Sequence, residues 1–316
     1  MHWRTQTVYV ATDPFFSPRG KVLNGLDQFL RELSRAQIPC VWVTGWTRAQ
    51  LDEPRRRLGQ GDPYIGENGC GVYLPEDYFH LKGSNTIRLG RYTCIPVAKL
   101  QPAAAEGLRE LSSGLGITVV PLHSLSPREL SQNTGLPTRE AELIRQRDFD
   151  ELFFFAGASE NDIEKFREEA KRRGMVMQPA GAFWSISCGG SLAKCVRELG
   201  ALYDRALRAH ALRVGVRLRP AGKGPDGAAE NVWPAAAFDK TLTIEERGEE
   251  EHVRALIDTE SDQSPEEDTP EVRTAIEEMA RKSSEARERN RFYLHSPNVW
   301  SELREAIEGS ARGSNR

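Results

Sequence analysis

The sequence predicts an α/β protein: a parallel-sheet core into which an α+β unit is inserted. Three observations predict it. Over the first 75 residues, short apolar β-branched runs alternate with segments of helical periodicity. That strand, helix, strand, helix order implies parallel pairing through right-handed crossovers. From about residue 82 to 185 the pattern changes to short strands and capped helices, before residues 191 to 212 return to one long helix.

Each element has its own reason. Val8-Tyr-Val-Ala-Thr12 is a short apolar run, so a buried strand. Leu23, Leu26, Phe29, Leu30 and Leu33 fall on one helical face that packs on it. Cys40-Val-Trp-Val-Thr44 is a second buried strand, followed by a helix from Thr47 whose regularity Pro54 limits. Tyr64-Ile65 and Gly71-Val-Tyr-Leu74 flank a tight Glu67-Asn68-Gly69 turn, where Asn-Gly is a strong hairpin signal. Ile87 to Val97 reads as strand, Glu106 to Leu111 as a short helix, and Ile117 to Val120 as strand. Ser126-Pro-Arg-Glu129 and Ser159-x-x-Asp162 are capping boxes that start two helices. Between them, Leu152-Phe-Phe-Phe155 is a buried strand. Ala193, Val196, Leu199, Gly200, Leu202, Tyr203 and Leu207 form the apolar side of the long helix.

The domain reading is therefore a core in two parts, residues 1–82 and 186–244, around an inserted cap, 83–185. Residues 245–271 carry twelve acidic and two basic side chains, a self-repelling stretch expected to be a disordered linker. Residues 272–316 read as a C-terminal helical segment. Thr269-Pro270 caps a helix through about Asn290, and Trp300 docks the end on the core.

At 316 residues the chain is long enough for two domains and a sizeable core. A net charge of -3 gives no basic footprint for nucleic acid. No apolar run approaches the ~20 residues of a membrane span, and the first residues lack a secretion-signal layout. Five scattered cysteines, odd in number and without CxxC, suit a reducing, cytoplasmic setting and argue against zinc. Single histidines such as His80, His123 and His295 show no metal-ligand spacing.

Three segments in order carry a resemblance. They are Asp62-Pro-Tyr-Ile-Gly-Glu-Asn-Gly-Cys-Gly-Val-Tyr-Leu-Pro75; Thr134-Gly-Leu-Pro-Thr-Arg-Glu-Ala with Arg145-Gln-Arg-Asp-Phe-Asp-Glu151; and Gly181-Ala-Phe183 with Gly190-Ser-Leu-Ala-Lys-Cys-Val196. Together they make residues 7 to 215 resemble the mannosyl-3-phosphoglycerate phosphatases, haloacid dehalogenase-like enzymes with a large inserted cap of the Cof type. The resemblance implies a Rossmann-like core and a mobile cap that closes over a phosphosugar. It also implies magnesium-dependent hydrolysis of mannosyl-3-phosphoglycerate to mannosylglycerate and phosphate. That chemistry uses two aspartates two residues apart. One attacks phosphorus and the other protonates the leaving alkoxide, while further carboxylates hold Mg²⁺.

Mapped by resemblance, the first motif becomes Ala11-Thr12-Asp13-Pro14-Phe15, with Asp13 at the acid/base position and Ala11 at the nucleophile. Asp13 alone remains as a weak metal ligand there; otherwise it is a turn residue before Pro14. Thr44, Arg48 and Lys194 are the expected phosphate-binding residues, although Leu192 occupies the family's lysine position and Trp46 replaces a basic residue. Thr44 also reads as a cap of the next helix, and Lys194 as a solvated helix residue. The resemblance gives Arg147, Asp148 and Asp150 a substrate-binding role in the cap, with Arg147 equally able to form a local ion pair. Glu67, Asn68 and Gly69 become a hinge. Ala182 removes one expected basic contact. Arg217 and Leu218 stand where a metal-binding Gly-Asp would be, and no further carboxylate arrives until Asp226. Ala237-Phe-Asp-Lys-Thr-Leu242 echoes the first motif, but Pro234-Ala-Ala-Ala237 is a poor strand and the echo reads as chance. The expected function is a catalytically impaired phosphosugar-binding protein. An active phosphatase, or a protein whose acidic segment recruits a basic partner, remain the alternatives.

Overall fold

The chain, in a computed structural model, is described over residues 5–13, 25–79, 85–219, 233–245, 291–293, 296 and 298–313. In order these carry β1 (Gln6–Ala11), α1 (Leu26–Arg35), β2 (Cys40–Val43), α2 (Arg48–Arg57), β3 (Tyr64–Gly66), β4 (Gly71–Pro75), β5 (Ile87–Leu89) and β6 (Tyr92–Pro96). Then follow α3 (Gln101–Leu115), β7 (Val119–Pro121), α4 (Pro127–Thr134), α5 (Thr138–Ile144), β8 (Glu151–Phe155), α6 (Glu160–Arg172), β9 (Val176–Ala180) and β10 (Phe183–Ser187). The last elements are α7 (Leu192–Leu207), β11 (Leu212–Arg219), β12 (Lys240–Glu245), β13 (Arg291–Tyr293) and α8 (Val299–Gly313).

The strands form two sheets. One has nine strands in the order β13-β12-β11-β1-β2-β3-β4-β6-β5. From β13 to β3 every pairing is parallel, and from β3 to β5 every pairing is antiparallel. The other is antiparallel, in the order β7-β8-β10-β9. The α/β class and the Rossmann-like parallel core follow directly from this topology.

Strand alternation splits the core into two apolar layers. Val8, Val10, Val214, Val216, Leu242 and Ile244 face α1 and α8, meeting Phe29, Leu30, Leu303 and Ile307. Tyr9, Val41 and Val43 face α7, with Trp233 and Phe238 completing that side. The α1 positions read as apolar from their spacing are buried, apart from Leu23, which lies outside the described residues. In the cap, α3 and α6 cover Phe153 and Ile186, while Leu130 and Ala141 of α4 and α5 cover Leu152 and Phe183. The capping boxes at Ser126 and Ser159 form as expected, and Thr47 makes a third on α2.

Two boundaries differ from the sequence reading. The segment 87–97, assigned there to the cap, is a hairpin turned at Gly90 (φ +58°) that pairs with β4 and so extends the large sheet. An antiparallel hairpin interrupts a parallel pattern without leaving the sheet, so the change in texture did not mark the domain edge. The core also continues past residue 244: β13 adds an edge strand and α8 packs on α1, with Trp300 against Phe29 at 5.4 Å and Arg304 paired to Glu32 at 3.3 Å. Most of the acidic stretch and the helix expected through Asn290 lie outside the described residues. The echo Ala237–Leu242 begins in a 3-10 turn and runs into β12, whereas the first motif leaves β1. It does not repeat that motif's geometry. Among the described residues no helix is long and apolar enough to cross a membrane.

Leu303 is fully buried between α8 and the sheet. Leu303→Ala should therefore lower the unfolding free energy by about 2–5 kcal/mol. Urea denaturation followed by circular dichroism would check this, and an unchanged midpoint would mean that α8 is not part of the cooperative core.

Candidate active site at the core–cap junction

β1 pairs with β2 on one side and β11 on the other, so strand order reverses at β1. In open α/β sheets ligands bind beyond the carboxyl ends of the strands at such a switch point. Ala11, Thr12 and Asp13 leave β1 there, and Thr44 leaves β2. Asp13 is held on that neighbouring loop. The Thr44 hydroxyl donates to Oδ1 in a short contact, and the Gly45 amide donates to Oδ2 at 2.7 Å. The same threonine oxygen accepts the Trp46 amide at 3.0 Å. Burial raises the Asp13 carboxyl above its ordinary range, against the pull of Thr44, Gly45 and the Arg147 charge.

The position that the resemblance gives to the nucleophile is apolar. Ala11 packs against the cluster that contains Val43, Tyr9 and Leu192, the residue at the family's lysine position. Lys194, two residues on, is exposed in the first turn of α7, where its amide bonds to the Ser191 cap at 3.2 Å. On the other flank, Val10 pairs with Val216, so the next residues, Ala11 and Arg217, are lateral neighbours. Arg217 shares the α7 face with Gly215, since a Cβ on Gly215 would meet Trp233 and Phe238. Its Nε donates to Thr243 Oγ1 on β12 at 3.3 Å. Among the described residues no three His, Cys, Asp or Glu side chains are grouped to hold a metal ion. Asp226 lies outside the described residues, as do Pro14 and Phe15.

The expected cap residues lie at the junction of cap and core. Glu67 accepts amide hydrogen bonds from Asp148 (2.8 Å), Phe149 (2.8 Å) and Asp150 (3.2 Å). Arg147, with a side chain only 3% exposed, donates both Nε and Nη2 to Asp150 and reaches across to the Gly45 carbonyl at 2.7 Å. Its Nε lies 3.9 Å from Glu67. Asn68 Nδ2 (3.2 Å) and Ser185 Oγ (2.6 Å) also donate to Asp150. Asp148 takes two bonds from Arg48, at 3.2 and 3.3 Å, and one from the Tyr73 hydroxyl at 3.0 Å. Arg147 and Asp150 thus form the local ion pair that the sequence left open, and Arg48 bonds to the cap.

The Glu67–Gly69 turn, expected by resemblance to be a hinge, is strained where this network begins. Glu67, Asn68 and Gly69 have φ of +48°, +58° and +84°, and a Cβ on Gly69 would stand 2.5 Å from the Leu192 amide nitrogen. Only glycine fits that approach. Gly45, Tyr73 and Ser185 carry no local motif that marks them; they meet the site only through sheet register or chain reversal. A separate cavity of about 760 Å³, lined by Cys40, Asp62, Tyr78 and Phe79 among others, opens where β2 begins, at the opposite end of the parallel strands from Asp13.

No protein-family model matches the chain. A glucosyl-3-phosphoglycerate/mannosyl-3-phosphoglycerate phosphatase of Methanococcoides burtonii is 28% identical over 171 residues, 54% of this chain and 62% of its own length. One of the same name from Persephonella marina is 26% identical over 159 residues, 50% of this chain and 56% of its own length. The mannosyl-3-phosphoglycerate phosphatase of Pyrococcus furiosus is 23% identical over 186 residues, 59% and 74% of the two chains. The chain is thus a homologue of curated phosphatases of this name, and it spans about three fifths of the length of the first two. A solved haloacid dehalogenase-like hydrolase from B. subtilis is similar at 14% identity with a TM-score of 0.47, covering 80% of this chain and 98% of its own.

Glu67 offers a pH test. Burial pushes its carboxyl from the ordinary 4.5 up to about 8, against the Arg147 charge and the amide bonds, with Asp150 and Asp148 adding to the rise. Folding then favours the protonated form. Its contribution to stability is complete below 4.5 and is lost as pH rises through about 8. The urea midpoint should fall over that window, and Glu67→Gln should remove most of the fall; an equally steep fall in the variant would refute the assignment.

Proposed function

We propose that this homologue of mannosyl-3-phosphoglycerate phosphatases binds a phosphorylated sugar-glycerate between core and cap and has lost most or all of the hydrolysis. One observation carries the reading: Ala11, at the end of β1, presents a methyl group in an apolar cluster where the resemblance requires the attacking carboxylate. A methyl group has no lone pair to form an acyl phosphate. In a serine protease, removing the covalent nucleophile lowers kcat by about 10⁶, and a comparable loss is expected here.

The residues present do not fit the magnesium ion that the resemblance implies. Mg²⁺ takes near-octahedral oxygen ligands, commonly one or two carboxylates with water and phosphate oxygens. Here Ala11 supplies none, and Asp13 is engaged with Thr44 and Gly45. What supports ligand binding is the surviving scaffold: a switch point, a cap joined to the core at Glu67, and the homology to enzymes named for a phosphorylated sugar-glycerate. The five cysteines, all unpaired, favour the cytoplasm as its compartment.

An active phosphatase is the second reading. Asp13, with its raised carboxyl, suits a general acid, but another group would have to attack phosphorus.

Purified protein with Mg²⁺ and mannosyl-3-phosphoglycerate should release no inorganic phosphate above background in a colorimetric assay. Release that disappears in Asp13→Ala would establish the second reading instead.

A further inference from the structure

We propose that the cap is locked onto the core by a third, non-covalent attachment, residues 143–150 with Phe149 as its pin, so that the cap swings only when this attachment breaks. The inference is independent of what the cleft binds, because every group in the lock belongs to the chain itself.

The chain passes between core and cap twice. It crosses through residues 97–100, between β6 and α3, and through residues 188–191, between β10 and α7. The Lys99 amide donates to the Cys188 carbonyl at 3.0 Å, so the two crossings run side by side. Domain closure uses a few such connecting residues to absorb large φ/ψ changes. Two adjoining crossings alone would leave the cap free to turn about them, which is the mobile cap that the resemblance implies.

Residues 143–150 deny it that freedom. They run from the end of α5 to the start of β8, inside the cap. Yet Phe149 is fully buried in the apolar cluster of the core, its ring 6.2 Å from that of Tyr73. The socket depends on a missing side chain: a Cβ on Gly71, the first residue of β4, would stand 2.7 Å from the Phe149 ring. Withdrawing the ring would return that apolar surface to water, which is unfavourable. Glu67 holds the backbone on both sides of the pin through the amides of Asp148, Phe149 and Asp150.

Polar bonds extend the attachment away from the pin. The Leu143 carbonyl accepts from the Thr47 hydroxyl at 3.0 Å, Asp148 accepts two bonds from Arg48, and Arg147 donates to the Gly45 carbonyl. Those core groups lie where β2 leads into α2. From β9, Gln178 donates to the Asn68 carbonyl at 3.3 Å. The contacts thus join α5, the 145–150 loop and β9 to three separate parts of the core, and a turn about the crossings would shear them together. Packed interfaces of this kind are bistable and do not deform gradually. The cap is therefore either docked or released.

Double electron–electron resonance on the full chain tests this. Spin labels are placed through Glu53→Cys in α2 and Lys165→Cys in α6, both exposed positions. The background carries Cys188→Ser, because the other four thiols are buried. With no ligand added, this labelled protein should show one narrow distance, with any released form below about 10%. Phe149→Ala should add a second distance and raise the released population severalfold. Arg48→Glu, which sets a carboxylate against Asp148, should do the same, and it decides the matter if Phe149→Ala fails to fold. A broad or two-distance distribution before either lock substitution would overturn the inference. So would the same single distance in every lock variant that folds.

Discussion

The carboxyl group of Glu67 accepts three successive amides of the segment that leads into β8, those of Asp148, Phe149 and Asp150. Arg147, between Glu67 and Asp150, carries the only cationic charge that these contacts place inside that fully buried cluster. Buried ionic groups persist only where each is paired and hydrogen-bonded, and removing one partner typically costs about 3–5 kcal/mol. This one cluster therefore fixes where the cap's second strand begins and joins the Asn68 turn to Ser185. It also ties Arg147 to the Gly45 loop that holds Asp13. The cap, the Glu67–Gly69 turn and the loop beyond β2 share one set of bonds, so a polar network holds their junction together.

Beyond that network, the end of the sheet has changed character from what the resemblance implies. The nucleophile position and the lysine position, Ala11 and Leu192, share one apolar cluster. On the neighbouring strand Arg217 turns toward β12, where it donates to Thr243. Thr44 bonds to Asp13. Ala11 and Leu192 thus pack as an alkyl pair where the resemblance would place two charged side chains. A switch point remains at β1, as the topology requires.

The sequence alone determined the α/β class, the apolar faces of α1 and α7, the capping boxes and the absence of a carboxylate at Ala11. Each of these is local: periodicity, a cap three residues from its partner, or the identity of one side chain. It misplaced residues 87–97 because a hairpin's partner strand, here β4, is not encoded in its own apolar pattern. It ended the core at residue 244 because β13 and α8 contribute short or amphipathic segments whose burial depends on α1. The tertiary structure alone decided that Arg48 pairs with Asp148, that Arg147 reaches Gly45, and that Arg217 lies beside Ala11. Those pairs are separated by about a hundred residues or more, and parallel-sheet register and the cap's return to the core, neither of which periodicity specifies, bring them together.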